Sequence, residues 1–185
     1  MIDSDAAMDF PVDDSSSAPL HAQFHDDHDA RLALCGELES IADMLPSLPR
    51  PARIRRLCGQ IECAATLHFK RADTLLAGLA RGRETPSLTD LRGQLAEMHA
   101  MDTIHGEDLI GLFWDSIARG SVTRPGEFGY MLRCYFDGCR RAIALERALL
   151  MLLDPQGAPV GPLARVGKGC EQGAVAHVNG PAAAR

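Results

Sequence analysis

Residues 51–81 read PARIRRLCGQIECAATLHFKRADTLLAGLAR, a stretch that returns an apolar side chain every third or fourth position. At about 100° per residue, Ile54, Leu57, Ile61, Ala64, Leu75 and Leu79 fall on one stripe of a single helix. Pro51 suits the first turn of such a helix, and Gly82 suits its end. His68 falls at the centre of the stripe. An ionisable group on a core-facing stripe costs free energy unless it is hydrogen-bonded, paired or bound to a metal.

Three more helical segments flank this one. The first is expected over residues 19–45 and ends before Pro46 and Pro49. The third opens at Ser87 with Asp90 three residues on, a start like a capping box, and stops at Gly120. The fourth opens near Pro125 and Glu127 and ends at Asp154-Pro155. Four long helices with short connections predict an all-α fold, an antiparallel up-down-up-down four-helix bundle over residues 19–153. Residues 1–18 are acidic, Ser-rich and without period, and are expected to form a disordered arm. Residues 154–185 hold six Gly and four Pro and are expected to be a flexible tail.

Composition narrows the function classes. The chain of 185 residues is 46% hydrophobic and 24% charged, enough apolar matter for one core. Its net charge of −6 is concentrated at the start, where residues 1–30 hold eight Asp and no Lys or Arg. The rest is near balance, with no basic run or stripe, so a nucleic-acid partner is not expected. No apolar run reaches the roughly 18 residues of a membrane span, and no secretory pattern opens the chain. A cytoplasmic location and no membrane partner are therefore expected. The six cysteines, at 35, 58, 63, 134, 139 and 170, form no C-x-x-C pair and read as free thiols. No Ser-His-Asp order, phosphate loop or nucleotide fingerprint is present.

Each helix offers a polar group toward or beside the common core. The third carries Leu91, Leu95, Met98, Leu109, Leu112 and Phe113 on its stripe, with Asp102 near the middle and His99 and His105 on the flanks. The fourth carries Phe128, Met131, Tyr135, Cys139, Leu149 and Leu153, with Glu146 among them. The first carries Leu20, Phe24, Leu38, Ala42 and Leu45, with His28 at one edge and His25 further out. His21, His25, Asp26, Asp27 and Asp29 read most simply as a solvated, acidic helix start. Helix bundles build iron and manganese sites from His and carboxylates on facing helices. Without thiolate, such donors suit iron or manganese better than a thiolate zinc site.

Four stretches, PLHAQFHDDHDARLALCGELESIAD, LHFKRADTLLAGL, LAEMHAMDTI and RRAIALERALLMLL, resemble the hemerythrin-like (HHE cation-binding) family, in the family's order. The resemblance implies a four-helix bundle around a non-haem di-iron centre that binds or senses O₂ or a related small molecule. The family pattern is a His on the first helix, H-x-x-x-E on the second, E-H on the third and H-x-x-x-E on the fourth. It carries over to His28, His68, His99 and Glu146. Ala72 stands where the second-helix Glu is expected, Met98 where the third-helix Glu is, and Ala142 where the fourth-helix His is. Asp73 points about 140° away from His68 and is expected to face solvent.

The depleted set changes what the resemblance implies. His28, His68 and Glu146 would share one metal, two His and one carboxylate, as in many mononuclear non-haem iron sites. His99 and Asp102 would serve a weak second position or support the ligands. The expected cofactor is thus a single iron ion or none, and the expected partner a small diatomic ligand. The alternative is a metal-free helical module that meets a partner protein. An enzyme acting on an organic substrate ranks last, because no general base is identifiable.

Overall fold

The computed structural model describes residues 17–155, with side chains from residue 21 onward. The expected arm and tail fall almost wholly outside these residues, and Leu20 lies where only the backbone is described. All regular structure among the described residues is helical, with no strand. Helix α1 spans Ser17–Met44. Helix α2 (Pro51–Cys63) continues through a π-helical segment, Ala64–His68, into α3 (Phe69–Ala80) as one unbroken rod. Helix α4 spans Pro86–Arg119 and α5 spans Pro125–Leu153. The fold is therefore a helical bundle of four rods.

The ends follow the local chemistry. Pro occupies the first turn of α2, α4 and α5, where its missing N–H costs nothing. The start of α4 lies one residue before the expected Ser87. Thr85 is the cap, and its hydroxyl oxygen accepts from the Leu88 N–H at 3.2 Å. Gly120 ends α4 with φ 69°, a left-handed value that favours glycine.

The buried seams run in alternating steps of three and four, the spacing that keeps one face of a helix against its neighbours. On α5 the seam is Phe128, Leu132, Tyr135, Cys139, Ala142, Glu146, Leu149 and Leu153. On α4 it passes through Leu95, His99, Asp102, Gly106, Leu109 and Phe113. On α1 it is His21, Phe24, His28, Arg31, Cys35, Leu38 and Ala42. Two expectations are corrected here. His28 is fully buried at the middle of the α1 seam rather than at its edge, and His99, not only Asp102, is central on α4.

Two apolar regions result. One packs Leu34, Leu38, Ile41, Leu57, Ile61, Leu109, Phe113 and Leu132. At the other end Leu76, Leu88, Leu95, Leu149 and Leu153 form one cluster, and Phe24, Ala72, Leu75 and Leu150 form another. The polar seam residues occur between these apolar stretches of sequence on α1, α4 and α5.

Two glycines on long helices differ in what surrounds them. A Cβ built on Gly138 of α5 would lie 2.3 Å from Asp102 Oδ1, so the bare backbone is what lets that carboxyl sit there. Gly111 of α4 has nothing among the described residues within 4 Å of such an atom. Gly111→Ala should therefore stabilise the protein by about 0.5–1 kcal/mol, the helix-propensity gain. Gly138→Ala should instead destabilise it by about 1–3 kcal/mol through overpacking. Urea unfolding monitored by circular dichroism checks both, and equal shifts of the same sign would contradict the packing described.

Candidate metal centre

The centre is built from Glu146 outward. This carboxylate is on α5 and has no exposure to solvent. Three imidazoles reach it from three other elements. His28 of α1 places Nε2 2.6 Å from Oε2. His99 of α4 places Nε2 2.6 Å from Oε1. His68, the last residue of the π-helical segment, places Nε2 3.0 Å from Oε1 and 3.1 Å from Oε2. All four side chains are buried. The ligating atoms of His28, His68 and Glu146 all lie within 4.8 Å of one another.

The backbone helps to place His68. A π turn carries an extra residue, and such turns occur mostly at functional sites. Here the buried positions run Ile54, Leu57, Cys58 and Ile61 before it, Ala64 at its start, and Ala72, Leu75, Leu76 and Ala80 after it. His68 links the two runs and faces the interior.

Aromatic rings fix the imidazole planes. Phe24 stacks on His68 with ring centres 5.4 Å apart and planes 11° apart. Phe69 stacks on His99 at 4.0 Å and 12°. Beyond His68, its Nδ1 lies 3.4 Å from Asp27 Oδ2, and Arg71 Nη1 donates to both Asp27 oxygens at 3.0 and 2.7 Å. Asp27 is thus half-buried and engaged, not part of a solvated helix start. An Nδ1–H donated to Asp27 leaves the Nε2 lone pair of His68 aimed at the centre, the carboxylate–histidine arrangement found behind many metal ligands. That alignment, with a full carboxylate and further imidazoles opposite, fits a divalent metal ion. The Nε2 atoms of His28, His68 and His99 hydrogen-bond to Glu146 only as N–H donors, so a bound metal would take the place of those protons. The Nδ1 of His28 has no hydrogen-bond partner among the described residues.

Electrostatics follow from this geometry. Burial alone would raise the pKa of Glu146, but hydrogen bonds from His28, His68 and His99 and the charge of Arg31 outweigh it. They hold the carboxyl well below the usual carboxylate range. Burial lowers the pKa of His28, against the pull of Glu146, and so favours its neutral, ligating form.

Arg31 was not among the expected site residues. It lies one turn after His28 and is 4% exposed, with Nη1 3.5 Å from Glu146 Oε2 and Nη2 3.6 Å from Asp102 Oδ2. Its guanidinium carbon lies 5.1 Å from the centre of the Phe69 ring, a cation–π distance. A signal was present in the sequence: steps of three and four from Phe24 through Cys35 to Ala42 place residues 28 and 31 on the same seam.

The remaining expected residues separate. Asp102 is 3% exposed and meets Arg31, while the compact group around Glu146 consists of His28 and His68 with His99 alongside. Asp73 is exposed, as expected, and His105 is half-buried. Ala72 and Ala142 are fully buried in apolar clusters, with Phe24, Leu75 and Leu150 around the first and Leu76, Leu95 and Leu149 around the second.

Comparison with known proteins found no matching family model, no matching curated protein and no matching solved structure.

Asp102 gives the site a pH signature of its own. Burial pushes its pKa from 3.8 up to about 8, with the neighbouring Cys139 adding to the rise and Arg31 opposing it. A carboxyl protonated more strongly in the folded than in the unfolded chain stabilises fully at low pH, and that stability is lost as pH rises toward the folded value. Asp102→Asn cannot ionise. In metal-free protein, the stability of Asp102→Asn relative to wild type should therefore rise between pH 4 and 8, by more than about 1.4 kcal/mol, the equivalent of one pKa unit. Urea titrations at several pH values check this, and parallel pH profiles for the two proteins would contradict it.

Proposed function

We propose that the protein is a hemerythrin-like metal module that holds one non-haem iron ion on His28, His68 and Glu146, with His99 beside them. Its function on this reading is to bind or sense a small ligand such as O₂, NO or peroxide. The observation that carries the reading is the convergence of three imidazole Nε2 atoms on one wholly buried carboxylate, from three separate elements. Two His and a carboxylate are the facial donor set of mononuclear non-haem iron sites. The antiparallel up-down-up-down order belongs to the same reading, supported by the short connections after α1, α3 and α4.

Bound iron would supply a redox-active centre with positions left for a small ligand. The chain's own residues do the rest. Phe24 and Phe69 keep the imidazole planes fixed, and Asp27 orients His68. The apolar clusters of both ends keep bulk water away from Glu146. Arg31 and His68 also line a cleft of about 120 Å³ between α1 and the π-helical segment, together with Asp27, Gln60, Leu67 and Arg71. That cleft is the entry route this reading assigns to a small ligand, because it connects the surface with two of the buried residues around Glu146.

Metal analysis of untagged protein, loaded anaerobically with ferrous ion and desalted, tests the reading. About one iron per chain is expected, and His68→Ala and Glu146→Ala should each lower occupancy by at least tenfold at limiting metal. Loss of a carboxylate that holds a ligating imidazole costs about 10–100-fold in metal affinity, so Asp27→Ala should weaken binding within that range. Folded wild-type protein that holds no iron, manganese or zinc would refute the metal reading and favour a metal-free helical interaction module.

A further inference from the structure

Arg31 is a buried cation with loose contacts. Its approaches to Glu146 and Asp102, 3.5 and 3.6 Å, exceed the roughly 2.7–2.9 Å of a well-formed charge-assisted hydrogen bond. Among the described residues its Nε and Nη2 atoms have no nitrogen or oxygen partner at hydrogen-bond distance, and neither has Asp102 Oδ2, with the Cys139 thiol as the neighbour of both. A structural arginine in a core is ordinarily held by a bidentate grip on its partner. This one instead places a positive charge between an acid on α5 and an acid on α4. His99, one turn before Asp102 on the same seam of α4, stands 2.6 Å from the other oxygen of Glu146. Two carboxyl groups beside one buried positive charge, with an imidazole on the far oxygen of one of them, are donors that a divalent transition-metal ion accepts.

We propose that Arg31 stands in for a second cation and so limits the centre to one divalent metal ion. This inference rests on the metal-binding reading of His28, His68 and Glu146. Removing the guanidinium leaves Glu146 and Asp102 facing each other without a cation, with His99 alongside. Metal–oxygen bonds of about 2.0–2.2 Å are shorter than the present charge contacts, so Asp102 must turn toward Glu146 to share an ion. The result is a gap that a second ferrous ion fills, with Asp102 giving up its proton as it becomes a ligand, so that the second positive charge of the ion is offset. Arg31 is a positioning and selectivity residue here, and it meets the centre at Glu146.

The test compares wild type with Arg31→Met and Arg31→Gln, two replacements of similar length without charge. Each untagged protein is loaded anaerobically with excess ferrous ion and desalted, its metal is counted by mass spectrometry, and its thermal unfolding is followed with and without metal. Each variant should hold one more iron per chain than wild type. Each should melt below wild type when metal-free and recover on ferrous loading, because an ion that binds only the folded state stabilises it. Variants with the same iron count as wild type would overturn the proposal. Unfolding of both variants that ferrous ion does not reverse would also overturn it, since a missing cation would then not be the defect. The two failures are distinguishable. Wild type at zero would sink the native iron site, and with it the claim that Arg31 limits that site to one ion. Wild type and variants all at one would keep the site and sink the role of Arg31.

Discussion

A fully buried carboxylate, Glu146, is the constraint around which the middle of this bundle is organised. Removing such an ion from water costs several kcal/mol, and the loss is recovered only when partners satisfy its oxygens. Three imidazoles and a guanidinium do so here, drawn from α1, the π-helical segment and α4. Each partner in turn needs a fixed position. Stacked phenylalanines and the Asp27–Arg71 pair supply it for His68 and His99. One acidic side chain thus ties four rods together in register, where leucines alone would permit sliding.

The three- and four-residue seams make this possible. They bring one polar layer to the same depth while Leu38, Ile61, Leu109 and Leu132 close one end and Leu76, Leu95 and Leu149 close the other. Glycine at 138 lets the Asp102 carboxyl approach the α5 backbone, and the π turn delivers His68 to the interior. A buried polar layer of this kind is costly when half satisfied and specifying when satisfied in full. A divalent ion is one way to complete it, because the nitrogens that now hydrogen-bond to Glu146 are also metal donors.

Much of this was legible in the sequence. Helix punctuation by Pro51, Gly82, Gly120 and Pro125 and the apolar stripes gave the helices to within a residue or two at most ends. His68 and Glu146 stood out because each interrupts an otherwise apolar stripe. The start of α4 was displaced because Ser87 resembles a cap, whereas Thr85 precedes Pro86 and takes the role. Arg31 is not legible in the same way, because arginine is nearly always at the surface and its place on a seam does not by itself mark it as buried. The π turn was not legible either, since an extra residue in one turn leaves the apolar pattern on both sides intact. The roles of Phe69 and Asp27 depend on contacts between helices, and a single helix pattern does not contain them.

The central claim is that His28, His68 and Glu146 share one metal ion. Anomalous diffraction at the iron edge from crystals of ferrous-loaded protein tests it most directly. The account predicts a single strong peak per chain, about 2.0–2.2 Å from the Nε2 atoms of His28 and His68 and from a Glu146 oxygen. Crystals of fully loaded protein with no peak among these three side chains, or with the peak on surface carboxylates alone, would contradict it.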